Sequence, residues 1–80
     1  MHSIEELVRA LMNGSAEARA AAAEALGKTK DLRAVHPLAM ALYDADPLVR
    51  WKAVEALRQT EEGRAVITFI EVTSEASNRY

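Results

Sequence analysis

Eighty residues, half of them apolar and sixteen of those alanine, make one small domain with a thin core, because a chain this short buries only about 60% of its unfolded surface. A formal charge of −2 with both signs interspersed supplies no basic stripe to track phosphates, so no nucleic-acid partner is expected. The lack of cysteine removes disulfides, thiolate nucleophiles and thiolate metal sites.

In chain order the sequence predicts five helices, near 3–13, 15–28, 33–44, 46–60 and 64–74, with 75–80 as a tail. Ser3-Ile4-Glu5-Glu6 reads as a capping box opening the first helix. The amino-terminal "MHSIEELVRAL" lacks the basic and apolar regions of an export signal. No apolar run approaches the ~18 residues of a membrane span, so a cytoplasmic chain with no membrane contact is expected. Ser15 and Asp46 are N-cap candidates for the second and fourth helices, and Pro47 suits a first helical position, where its missing N–H costs nothing. These helices are expected to stop near Gly27 and Gly63. The third helix follows Asp31, with Pro37 placed in its first turn because an interior proline would break it. The last, "RAVITFIEVTSE", carries a β-branched run that favours strand by propensity. It still reads as helix because a lone strand would have no partner edge.

Sliding the chain along itself by thirty-one residues aligns Leu7 with Leu38, Ala10 with Ala41, Arg19 with Arg50, Ala22 with Ala53, Glu24 with Glu55 and Leu26 with Leu57. Seven further identities share this register, against about four matches in all from chance, and the period falls in the range of stacked helical repeats. The chain thus reads as two and a half repeats, starting in mid-repeat, and as an all-α solenoid in one domain, 1–80. The stretch "SAEARAAAAEALGKTKDLRAVHPLAMALYDADPLVRWKAVEAL" resembles the HEAT-like repeat of the phycobilisome lyase type. The likeness covers about residues 4–67 and is carried by Asp46 with Val49-Arg50, Ala25-Leu26-Gly27, and Asp31 with Arg33-Ala34-Val35 and Pro37-Leu38. The resemblance implies an α-superhelix whose Val-Arg helix lines a partner-binding surface. The chain departs from that pattern at Ala18, at Arg58 where the helix-ending glycine would stand, and after Arg64, where only Ala65 and Val66 persist.

At about 100° per residue, Val49, Ala53, Ala56, Leu57 and Thr60 form one buried stripe of the fourth helix. The opposite side carries Leu48, Trp51, Lys52, Glu55 and Arg58, a solvated face apart from its tryptophan, the only one in the chain. Trp51 either lies across Ala20 and Ala21 of the neighbouring helix or meets a partner, as aromatics with polar neighbours do at interface hot spots. The expectation is an exposure above a quarter and a protein-binding face of Leu48, Trp51, Lys52, Glu55 and Arg58, continued on the second helix by Glu17, Ala20 and Glu24. Arg19 and Arg50 are expected to bridge to Asp44, Asp46 or Asp31 in the turns. In the last helix Val66, Ile67, Phe69, Ile70 and Val72 spread apolar surface over much of the circumference, which predicts self-association as a two-fold homodimer or a larger assembly.

Chemistry is not written into the sequence. His2 and His36 share no ligand spacing, Gly14, Gly27 and Gly63 stand singly with no phosphate loop, and the carboxylates are scattered over helix faces. The expected function is a non-catalytic protein-interaction or assembly module with no catalytic residues, metal or cofactor. The alternative implied by the resemblance is a small bilin-lyase-like or tetrapyrrole-chromophore accessory protein.

Overall fold

The computed structural model describes residues 3–77, with side chains to residue 73. Five α-helices follow one another: α1 (Ile4–Asn13), α2 (Ala16–Thr29), α3 (Val35–Ala41), α4 (Pro47–Leu57) and α5 (Glu61–Ser77). The capping box at Ser3 forms in full, the hydroxyl accepting from the Glu6 N–H while Glu6 accepts from the Ser3 N–H. Ser15 caps α2 through the Ala18 N–H, and Asp46 caps α4 through the Leu48 N–H with Pro47 leading the helix. Each cap satisfies an amide that the first helical turn leaves without a partner.

Several boundaries differ from the sequence reading: α3 ends at Ala41 rather than 44, and α4 ends at Leu57 rather than near Gly63, which lies in the first turn of α5. α2 runs past Gly27 to Thr29 and ends at Lys30 in the left-handed region, whose N–H donates back to the Gly27 carbonyl. Before α3, residues Leu32–Ala34 form a 3-10 turn, opened by Asp31 accepting from the Arg33 N–H, so Pro37 falls in the first α-helical turn. α5 is the longest helix: it begins at Glu61 and continues through Ser77, so residues 75–77 are helical and only 78–80 of the expected tail lie outside the described residues. Helix prevails over the β-branched run in α5 because Ile67 packs on the helical core, where no strand edge is available.

The helices stack in two layers, α1, α3 and α5 in one and α2 and α4 in the other. Between them lie Leu7, Leu11, Leu26, Leu38, Val49 and Leu57 with the alanines 20, 22, 23, 34, 41, 53 and 56, and no buried residue among those described is polar or charged. Small side chains let the helices come close. At the α2–α4 crossing, a Cβ added to Gly27 would lie 2.7 Å from both Cα and Cβ of Ala56. Gly27 is therefore a packing residue rather than the helix stop anticipated from the sequence.

The repeats are joined by a polar clamp. Arg19 on α2 holds the Asp44 carboxylate with two hydrogen bonds, Nε to Oδ2 at 2.8 Å and Nη2 to Oδ1 at 3.0 Å, while Nη1 donates to the Gly14 carbonyl. Arg50 shares the carbonyl half of this pattern, donating from Nη1 to the Asp44 and Ala45 carbonyls. The Arg19 hydrogen bond is the main cause that holds the Asp44 carboxyl below its ordinary range, against the opposing effect of partial burial, with help from the Asp46 amide and the charges of Arg19 and Arg50.

Two outcomes follow. Gly27→Ala, which in an open helix gains about 1 kcal/mol, is expected here to cost about 1–3 kcal/mol because the new methyl meets α4 backbone; urea unfolding should show a lower midpoint with an unchanged slope. A carboxyl whose pKa is lower folded than unfolded stabilises the fold above its unfolded value, about 4, and that contribution disappears as pH falls through the folded value. Asp44→Asn is thus expected to melt below the parent at neutral pH, and the gap between their melting temperatures to narrow once pH drops below about 4.

Candidate partner-binding surface

The start of α4 sets the direction of every side chain after it. Asp46 and Pro47 fix the first turn, and the stripe Val49, Ala53, Ala56 and Leu57 turns wholly inward. Leu48, Trp51, Glu55 and Arg58 are consequently exposed and Lys52 is half-buried. Trp51 is 54% exposed, above the quarter expected of it.

Lys52 links the two helices. Its Nζ donates to Glu24 Oε1 at 2.8 Å and sits 4.9 Å from the centre of the Trp51 ring, a cation–π distance. Glu24 also meets Lys28 at 3.5 Å. The hydrogen bond from Lys52, then its charge, then Lys28 hold the Glu24 carboxyl below its usual range, and the same hydrogen bond holds the Lys52 amine above its own. Between α2 and α4 this leaves a shallow groove of about 380 Å³, floored by Gly27 and Ala56 and edged by Glu24, Lys28, Lys52 and Glu55. The groove exists because Gly27 and Ala56 carry little side chain. On its rim Lys28 and Lys52 both pair with Glu24, while Glu55 forms no ion pair among the described residues.

Of the second-helix residues expected on this face, Glu17 and Glu24 are exposed, and Glu24 reaches α4 through Lys52. Ala20 is a correction: it is 5% exposed and packs in the core, because position 20 lies on the side of α2 that meets α4, so its side chain is not open to a partner. In α5 the apolar residues divide. Val66, Ile67 and Ile70 are half-buried, Ile67 against the core, whereas Phe69 and Val72 stand out at 72% and 61% exposure.

A second apolar ridge was not anticipated. Met12 on α1 and Met40 on α3 are exposed and line a groove with Leu11, Pro37 and Ala41, and Tyr43 is exposed in the turn after α3. One signal for it was present, since Met12 and Tyr43 occupy the same place in successive repeats. Among the described residues no cluster of histidine and acid side chains could hold a metal, and no helix is long and apolar enough to cross a membrane.

Helix pairs stacked in two layers, small residues at the crossings and an arginine clamp from each repeat to the next define an α-solenoid. A family model for HEAT repeats matches residues 3–80, and the chain belongs to that family. No curated protein matches the chain. HEAT repeats as a class mediate protein–protein interaction and are typically non-catalytic scaffolds.

The exposure of Trp51 has a direct readout. At low micromolar protein, acrylamide is expected to quench its emission in the folded chain almost as efficiently as in urea; strong protection of the folded state would show that the ring is covered.

Proposed function

We propose that this chain is a non-catalytic interaction and assembly module that binds a protein through the exposed side of α4 and self-associates through α5. The observation that carries the reading is Trp51, the sole tryptophan, more than half exposed on a helix whose other side is fully buried. Leu48 adds apolar area beside it, while Lys52, Glu55 and Arg58 supply the polar rim of a protein interface. On α5, Phe69 and Val72 with the half-buried Val66, Ile67 and Ile70 form the self-association surface, with a two-fold homodimer as the default arrangement. A chain without cysteine suits the reducing cytoplasm.

The tetrapyrrole reading, that of a small bilin-lyase-like accessory protein, has one feature in its favour: Lys28 and Lys52 on the rim of the α2–α4 groove could meet carboxylates. Both already contact Glu24, and the groove is at the small end for a ligand site, which favours the protein-binding reading. Mixing the chain with a bilin and recording the visible spectrum separates the two, since only the accessory protein shifts the absorption.

Sedimentation tests the main reading. The parent chain is expected to self-associate at high micromolar concentration and Phe69→Glu to remain a monomer, while Trp51→Ala is expected to lose protein partners in pull-down without unfolding. A parent chain that stays monomeric throughout that range removes the self-association half. Retention of partners by Trp51→Ala removes the other.

A further inference from the structure

The thirty-one-residue register makes each position at the end of the stack comparable with one already packed inside it. On α2, Ala20, Ala23 and Gly27 are buried against the rest of the stack, Gly27 directly against Ala56, while Glu24 on the same side pairs with Lys52. Their equivalents on α4 are Trp51, Val54, Arg58 and Glu55, of which Val54 is half-buried and the others exposed. On α3 and the turn before it, Ala34, Leu38 and Ala41 are 1%, 3% and 7% exposed, with Ala34 and Leu38 sharing a junction with Ala56 and Leu57 of α4. Their equivalents on α5 are Ala65, Phe69 and Val72, all exposed. Inside the stack one helix, α4, packs against both α2 and α3, meeting Gly27 on the first side and Ala34 and Leu38 on the second. The Trp51 side of α4 and the Phe69 side of α5 are therefore the two walls of one helix position that no described residue fills.

We propose that the open end formed by α4 and α5 is a docking slot for a single amphipathic helix of another protein, with apolar residues at i, i+4, i+7 and i+8, alanine-sized at i+4 and i+7, and a cation at i+3. The pattern is the one α4 itself presents in the interior position, where Val49, Ala53, Ala56 and Leu57 are buried and Lys52, three residues after Val49, reaches Glu24. Glu55 is the repeat equivalent of Glu24 and forms no ion pair among the described residues, because Lys52, whose charge it feels, is committed to Glu24. The incoming cation completes at the end of the stack the pair that Lys52 completes inside it. Trp51 and Arg58 stand where the interior has Ala20 and Gly27, so the slot is walled by larger side chains and its occupant must present small ones.

A second copy of the chain has no helix free to fill this slot. Val49, Ala53 and Ala56 of its α4, and Ala22 and Leu26 at the matching positions of its α2, are buried in its own stack. The inference rests on the reading of these surfaces as protein-binding. Because the slot shares Phe69 and Val72 with the self-association surface, an inserted helix and a second copy exclude each other.

The test uses the intact chain and a peptide of residues 15–30 carrying Ala21→Lys, which places the cation at i+3 from Ala18 and contains no aromatic residue. Trp51, the only tryptophan, reports on the slot. Titration at low micromolar protein is expected to shift its emission to the blue with a Kd on the order of 100 µM, since a short peptide must also fold into a helix. The peptide without the lysine is expected to bind about threefold more weakly, a gap that closes in Glu55→Gln protein. In the sedimentation experiment, saturating peptide is expected to convert associated chains to monomers. An unchanged emission up to about 1 mM peptide overturns the slot, as does equal binding of the two peptides by the parent chain. Self-association that persists at saturating peptide overturns it too, while leaving self-association itself standing. A parent chain that never associates removes that part of the proposed function and leaves the peptide titration to decide the slot.

Discussion

The closeness of α2 to α4 is the constraint on which the rest of the stack depends. Gly27 and Ala56 meet with almost no side chain between them. A core this rich in alanine has few large groups to bury and relies on backbone proximity and dispersion contacts instead. That closeness places Glu24 within reach of Lys52 across the seam, opens the groove above it and holds the indole of Trp51 beside a paired lysine. A bulkier pair at the crossing would separate α2 from α4 and disperse these contacts.

The clamp arginines show how one residue type serves two surroundings. Arg19 lies between two repeats and finds both a carbonyl and a carboxylate, so its fork is filled. Arg50 stands one repeat later and keeps the carbonyl half of the pattern. The same gradation runs through the apolar positions. Leu7, Leu38 and Phe69 share one register position, and the first two are buried while the third is exposed. Leu7 and Leu38 each have a following helix to cover them, α2 and α4, whereas Phe69 lies on the last described helix. In a stacked repeat the environment of a side chain is set by its neighbours along the stack as much as by its own helix.

This gradation accounts for the face of α4 that bears Trp51. Seen as a single helix, α4 has a buried side and a solvated side, and Trp51 belongs to the second. Compared with α2, the same residue occupies a place that is packed one repeat earlier, as Ala20. Protein interfaces commonly combine an aromatic anchor with a rim of charges, and the face proposed to bind a partner has Trp51 beside Lys52, Glu55 and Arg58.

The repeat register, the number and type of helices, the caps at Ser3, Ser15 and Asp46 and the exposure of Trp51 could all be read from the amino-acid sequence. Each depends on interactions within a turn or two of one helix, or on a periodicity that survives without coordinates. The HEAT-repeat family was legible as a resemblance carried by Val49-Arg50, Ala25-Leu26-Gly27 and Pro37-Leu38, and the family match extends no further than HEAT repeats in general. Three features needed the tertiary structure: Gly27 as a point of helix crossing rather than a helix stop, the burial of Ala20, and the division of the α5 apolar residues between core and solvent. The physical reason is common to them. A helical wheel tells which residues share a side, but which side faces a neighbour, and at what distance, is decided by how the helices pack against one another.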